Sequence, residues 1–374
     1  LFRDFFPERP APGRGAFAIL SPMSPSIEAP PCVRAALFSA LAFFAVAARA
    51  QDSPSRPTAL WSEFVPYQEV ERDLADVRDK NAALYVAVRA DAPDFDGFAH
   101  LYVTARSLGV EIRPWLLLRQ DQGYWFNKWN VPDSVQFVST FLSEMRTRGV
   151  TPQWLVFDIE TPARLVDEME RDFSKGRLPA LLALLSRDSR DGSIRAAISS
   201  YAELLADLHS KGIRVEAVTG NYVLNDDDRL RIQSALGLPI SGLPWDAISF
   251  MVYRAEFQRA FGAVSEALVH KYAKRARRRF GDKAGIDVGE AGSVAYPQPF
   301  TGYTDPADLQ RDVTAAASAG VEEVHVYSLD GMREKGLDFW LDVPPAQRAR
   351  YHDLKSDVFL TAVDVLRNLL PEGR

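Results

Sequence analysis

Short β-rich apolar runs alternate with amphipathic stretches from Ala59 onward. The runs predict strands over Leu60–Val65, Ala83–Val88, Glu111–Leu118, Trp154–Ile159, Arg214–Thr219, Ala247–Tyr253, Gly285–Val288 and Glu323–Ser328. Between them apolar residues return at helical spacing, as Phe137, Val138, Phe141 and Leu142 do within Ser134–Arg148. The same spacing predicts helices over Gln68–Asn81, Phe95–Leu108, Ile194–Ser210, Asp227–Leu236, Ala263–Phe280, Pro306–Ala319 and about Pro345–Leu370. Gly109, Gly149, Gly212 and Gly320 close several of these patterns, as a helix C-terminus does. Strands alternating with helices pair in parallel. Eight such units are what an α/β (β/α)8 TIM barrel of one domain needs. A doubly wound open sheet is the alternative, but no Gly-rich dinucleotide turn follows the first strand.

The connection between Glu160 and Ile194 is long and holds two short helical patterns, Ala163–Phe173 and Leu178–Leu185. An insertion after a barrel strand, here about 161–193, lies over the active face and shapes the cleft. The barrel is expected over 58–372, with no repeat and no low-complexity linker inside it.

The N-terminus reads differently. Residues 1–22 are Pro- and Arg-rich without periodicity, as an upstream or disordered leader would be. From Met23 the chain has Arg34, an apolar run Ala35 to Ala47, then Ala48-Arg49-Ala50. This is the pattern of a secretory signal peptide over 23–50, cleaved after Ala50 to release a secreted or periplasmic protein starting at Gln51. The run is too short for a membrane span, so no stable span is expected after cleavage. An uncleaved anchor is the alternative.

Composition narrows the chemistry. The chain is 47% hydrophobic, enough for a sizeable core. Its net charge of -6 argues against nucleic acid as a main partner. The basic run Lys271 to Arg279 ends a helical pattern, where cations favour the C-terminus. Cys32 is the single cysteine and lies inside the signal segment, so no disulfide or Cys-based metal site is expected. His100, His209, His270 and His352 fall on helical patterns and His325 within the last strand. That placement argues against a His-based metal site and a Ser-His-Asp triad. No P-loop or nucleophile elbow is present, and no metal or cofactor is expected.

Asp158-Ile159-Glu160 ends the apolar run of the fourth strand. Side chains two apart on a strand point the same way, so both acids face one mouth at the strand C-termini, where barrel active sites sit. Two neighbouring acids cannot both ionise freely, and a carboxyl kept protonated near neutral pH is what a general acid requires. Other strand ends would bring Glu63, Arg89, Asp91, Arg119, Asn221, Tyr222, Tyr253, Arg254, Asp287, Glu290, Tyr327 and Asp330 to the same mouth. Trp115 lies on the third strand, and Tyr124, Trp125 and Trp129 crowd the polar loop after it. Aromatic faces among polar groups suit a sugar ring, with packing under the barrel rim as the alternative.

These fragments resemble chitinase-like glycoside hydrolases of family 18. That family ends its fourth strand with DxxDxDxE, and Asp158 and Glu160 match the last two positions, while Gln153 and Val156 replace the earlier aspartates. Its sixth strand carries M-x-Y-D; Met251 and Tyr253 match and Arg254 replaces the aspartate. Tyr327-Ser328-Leu329-Asp330-Gly331 is similar to the family's W-S-L-D-G, with Tyr327 in place of tryptophan. The resemblance implies a polysaccharide of N-acetylamino sugars as substrate and partner. Glu160 would be the general acid, Asp158 would tune it and hold the acetamido group, and Tyr253 would bond the acetamido oxygen, which attacks in place of a protein carboxylate. Tyr327 would floor the sugar.

The departures keep other readings open. Arg254 is expected either to pair with Asp158 or Glu160, lowering their pKa, or to bind an anionic sugar. Glu290 or Asp287 is the alternative second carboxylate opposite Glu160, in a two-carboxylate hydrolysis. Trp115, Tyr124, Trp125, Trp129, Arg254, Tyr327, Asn221 and Glu290 are the expected substrate contacts. A chitinase-like lectin that binds without cutting is the non-enzymatic reading, and a barrel acting on a non-sugar substrate is a third.

Overall fold

The computed structural model describes residues 57–175, 177–189, 192–261, 264–294, 300–344, 346 and 351–373. The expected leader, signal segment and Ala50 cleavage point lie outside the described residues. In chain order the larger elements are β1 (Ala59–Ser62), α1 (Tyr67–Asp79), β2 (Ala83–Arg89), α2 (Phe95–Ser107), β3 (Ile112–Leu117), α3 (Val131–Thr147) and β4 (Trp154–Ile159). The insertion follows as α4 (Ala163–Ser174) and α5 (Leu178–Ser189). Next come α6 (Ser193–Ser210), β5 (Arg214–Gly220), α7 (Arg231–Leu236), β6 (Ala247–Met251), α8 (Arg254–Phe261), α9 (Ala267–Phe280) and β7 (Ala284–Gly289). The chain ends with α10 (Pro306–Ser318), β8 (Glu323–Tyr327), α11 (Leu329–Met332), α12 (Leu337–Leu341) and α13 (Leu354–Leu369).

The eight strands close into a barrel in the order β1-β8-β7-β6-β5-β4-β3-β2, all neighbours parallel. The expected (β/α)8 barrel is therefore the observed fold. Among the described residues no helix is long and apolar enough to cross a membrane.

Element ends differ from the sequence pattern where a side chain captures the backbone. β1 stops at Ser62, because the Glu63 and Phe64 amides turn to donate to Asp330 Oδ2 at 3.0 and 2.7 Å. α7 begins at Arg231, four residues later than its apolar pattern, because Asp226 accepts the Ile232 and Gln233 amides at 3.1 and 2.9 Å. β6 gives way at Met251 to α8, an element the sequence pattern missed. Within the helix expected over Pro345–Leu370, the described residues form α13, whose first turn is capped by Asp353 accepting from the Lys355 amide at 3.1 Å.

Two cores result. Outside the strands, Leu, Val and Ile side chains meet the helices around buried rings such as Phe98, Phe141, Phe157, Tyr201, Trp245 and Tyr272. Inside the barrel, Trp61, Tyr85, Trp115, Val156 and Val218 fill the bore. Trp61 stands edge-on to both Tyr85 and Trp115, with ring centroids at 4.5 and 4.8 Å. Nearer the strand N-termini the bore is charged. Arg113 donates to Tyr85 Oη at 2.7 Å and to Glu216 Oε2 at 2.8 Å, and Tyr85 itself donates to Glu216 at 2.6 Å. Buried charges persist only when paired in this way. These two layers fill the bore below the strand C-termini.

Candidate active site

Asp158, the last residue but one of β4, is buried. Its Oδ2 accepts from the indole of Trp115, on the adjacent β3, at 3.2 Å. Burial, then the charges of Glu160, Glu63 and Asp287, push its carboxyl well above the usual range. Glu160 follows on the same face and keeps part of its surface open to solvent. Its carboxyl is raised to about 8, chiefly by burial and next by the charge of Glu256, while its contact with Asp158 works the other way. Glu160 is thus largely protonated at neutral pH, as a proton donor must be.

The backbone at Glu160 is fixed by the loop after β3. Phe126 runs beside the end of β4, donating to Asp158 O at 2.8 Å and accepting from the Glu160 amide at 3.1 Å. Two asparagines hold that loop. Asn130 Oδ1 accepts from the Asn127 amide at 2.8 Å, and its Nδ2 donates to Gln122 O and Trp125 O at 2.9 and 2.8 Å. The loop's aromatics divide accordingly. Tyr124 is buried and packs with Trp125 against the inner core, their rings 5.5 Å apart. Trp129 is 40% exposed, stacks on Lys128 at 4.6 Å, and lies over Gly237, where a Cβ would meet its ring.

Tyr253 and Tyr327 bring their rings to 5.7 Å from opposite sides of β7. The Tyr253 hydroxyl is held far into its neutral form by burial and by the charges of Asp287, Tyr327, Asp158 and Glu160. Tyr327 donates to Glu63 Oε2 at 2.6 Å, and Tyr124 donates to Glu63 Oε1 at 2.7 Å. Burial raises Glu63 to about 7, against the opposing effect of those two hydrogen bonds. Asn221 donates through Nδ2 to Met251 O at 2.9 Å. Its Oδ1, with Asp158 Oδ1 and Asp287 Oδ2, is a buried acceptor without a hydrogen-bond donor at ordinary distance. Acceptors left without a donor beside a partly exposed acidic residue are sites where a polar ligand gains hydrogen bonds.

Asp287 is fully buried, its Oδ1 taken by Trp61 Nε1 at 3.0 Å and His325 Nδ1 at 2.9 Å. Burial disfavours charge on His325, but its bonds to Asp287 and Glu323 prevail and raise it to about 10. Glu290 is buried beyond β7, with its carbonyl accepting from the Tyr303 amide at 2.8 Å. Arg254 departs from expectation. It turns outward at the start of α8, donating to Asp312 at 2.7 Å and to the Asp308 carbonyl at 3.1 Å, and covers the Tyr303 ring at 5.1 Å. Its charge therefore neutralises acids of α10, not Asp158 or Glu160, and it is not presented to a sugar.

No protein-family model matches the chain, and no curated protein sequence matches it. Solved structures with a similar fold include the PgaB (BpsB) glycoside hydrolase domain from Bordetella bronchiseptica, 13% identical, covering 75% of this chain and 96% of that one at a TM-score of 0.49. The glycoside hydrolase family 17 beta-1,3-glucanosyltransferase from Rhizomucor miehei is 12% identical over 76% and 92% of the two chains, with a TM-score of 0.41. The YdjI aldolase from Escherichia coli K12 is 12% identical over 85% and 93%, with a TM-score of 0.38. Likeness at this level fixes no chemistry, which rests on the residues of the mouth.

Three residues of that mouth carry more than their sequence setting implied. Glu63 was visible as a strand-end acid, but its clamp by Tyr124 and Tyr327 depends on three distant elements. Tyr222 follows Gly220, packs its ring over that glycine and remains 38% exposed near Glu160 and Glu256. Glu256 lies on α8, which no apolar run announced.

Proposed function

We propose that the protein is a glycoside hydrolase that cuts a polysaccharide containing N-acetylamino sugars, with Glu160 as general acid. The observation that carries this reading is a carboxyl, on a partly exposed residue, that is held protonated near neutral pH beside open buried acceptors and aromatic rings. Glu160 gives its proton to the glycosidic oxygen as the C1–O bond breaks. The substrate's acetamido oxygen attacks C1, and Tyr253 and Asp158 hold that group, Asp158 taking the acetamido N–H through its open oxygen. Glu160, now a carboxylate, removes a proton from the water that opens the cyclic intermediate. Tyr327 and Tyr253 floor the sugar, and Trp125 and Trp129 extend the aromatic surface along the chain of sugars. The protein acts outside the cytoplasm once residues 23–50 are removed, a reading supported by the signal-like segment alone.

The test is reducing-end release by purified Gln51–Arg374 from chitin, peptidoglycan and acidic polysaccharides, beside Glu160→Gln. Release is expected from an amino-sugar polymer, falling about 10²–10⁴-fold in the variant. Release that survives the substitution would move the acid elsewhere. Binding without release by the wild type would make the barrel a lectin.

A further inference from the structure

Glu63 lies just past β1, separated from β4 by β2 and β3 on one side and by β5 to β8 on the other. It takes no part in the proton transfers assigned to Glu160, yet both its carboxyl oxygens are held by phenols. Oε1 accepts from Tyr124 at 2.7 Å, Oε2 accepts from Tyr327 at 2.6 Å, and its own amide donates to Asp330 at 3.0 Å. The residue nevertheless keeps part of its surface exposed. A carboxylate offers about four acceptor positions, so two phenols leave roughly one free on each oxygen.

The surroundings of those free positions are aromatic. The Tyr124 ring meets Trp125 at 5.5 Å and 77°, and the Tyr327 ring meets Tyr253 at 5.7 Å and 33°. Glu63 occupies the seam between these two pairs. Ring faces accept the C–H face of a sugar, and a fixed acceptor pair in the seam accepts from its hydroxyl edge. A tie between the β3 loop and β8 alone would be served by a fully buried residue; Glu63 stays partly exposed.

We propose that Glu63 is a specificity residue, gripping two neighbouring hydroxyls of a sugar bound between Trp125 and Tyr327. This rests on the glycan reading of the mouth. The grip requires the carboxylate form. Burial places Glu63 near 7, with Tyr124, Tyr327, Asp330 and Arg89 as the groups acting on it. Substrate affinity should therefore weaken as pH falls through about 7, while the loss of rate set by Glu160 lies on the alkaline side.

The experiment is calorimetric titration of amino-sugar oligosaccharides into Glu160→Gln protein, with and without Glu63→Gln, plus KM and kcat for Glu63→Gln and Glu63→Asp in otherwise native protein. Loss of charged hydrogen bonds should weaken binding about 10–100-fold, appear mainly in KM, and abolish the rise of KM at acid pH. Glu63→Asp should recover part of the affinity. Native affinity in a Glu63→Gln protein with an unchanged melting temperature would overturn the proposal and leave the glycan reading standing. If no oligosaccharide binds even Glu160→Gln protein, the glycan reading itself falls. Should Glu63→Gln fail to fold, wild-type KM decides: a flat profile between about pH 6 and pH 8 overturns the proposal.

Discussion

Glu160 is set by opposing neighbours. Burial and the charge of Glu256 favour its neutral form, while contact with Asp158 favours the anion. If the neutral form donates the proton, kcat should decline as pH rises through about 8. Glu256→Gln removes the charge and keeps the shape, so this alkaline limb should move to lower pH. A pH–kcat profile that stays in place would show that Glu256 does not act on the catalytic acid. Tyr253→Phe tests the other side of the site. It removes the hydroxyl that would hold the acetamido oxygen and leaves the ring against Tyr327. The expected loss is about 10–100-fold in kcat/KM for acetylated substrate, the scale of one hydrogen bond to a developing charge. An unchanged kcat/KM on acetylated substrate, with an unchanged melting temperature, would remove Tyr253 from that role.

At the scale of elements, the site depends on a loop acting as a strand. Phe126 extends the sheet beside Ile159, and Asn130 sustains the turn that brings it there. Asn130→Ala leaves the Asn127 amide and the Gln122 carbonyl without their partner, and the Trp125 carbonyl with Asn127 Nδ2 alone. A cost of about 2–4 kcal/mol is expected, read by urea denaturation. Activity should fall further than the stability loss accounts for, because the Glu160 amide loses its fixed acceptor. The same contrast explains what was legible in the sequence. Trp154–Ile159 and Pro306 onward stand out because burial on both strand faces and a Pro-led helix start leave local marks. Asp158 and Glu160 could be paired from their spacing alone. The end of β1 could not be read, since it is set by Asp330, at the far end of the chain. Nor could the outward turn of Arg254 be read, because its partner Asp312 arrives with α10. Local periodicity records burial; it does not record which distant acid a cation will meet.

For the whole molecule, the mouth and the fold favour different pH. Glu63, Glu160 and Asp312 have carboxyls raised to about 7, 8 and 6, all chiefly by burial. A carboxyl raised in the folded state contributes stability that is full below its unfolded value, 4.5 for Glu and 3.8 for Asp, and is lost as pH rises through the folded value. His325, raised to about 10 from 6.5, acts in the same direction, its contribution declining as pH rises through that interval. Glu323 acts oppositely. Its bond to His325 lowers it to about 2, so its contribution is present above 4.5 and fades as pH falls toward about 2. Stability should therefore peak near pH 5, while an anionic Glu63 and a protonated Glu160 coexist best between about 7 and 8. Urea midpoints measured from pH 4 to pH 9 should fall on the alkaline side. Glu63→Gln/Glu160→Gln should flatten that fall and be more stable than the native chain at about pH 8, though inactive. If the double variant instead kept the native slope, the penalty would belong to the barrel interior around Asp312 and His325, and the mouth would carry none of the strain expected of a site built for catalysis.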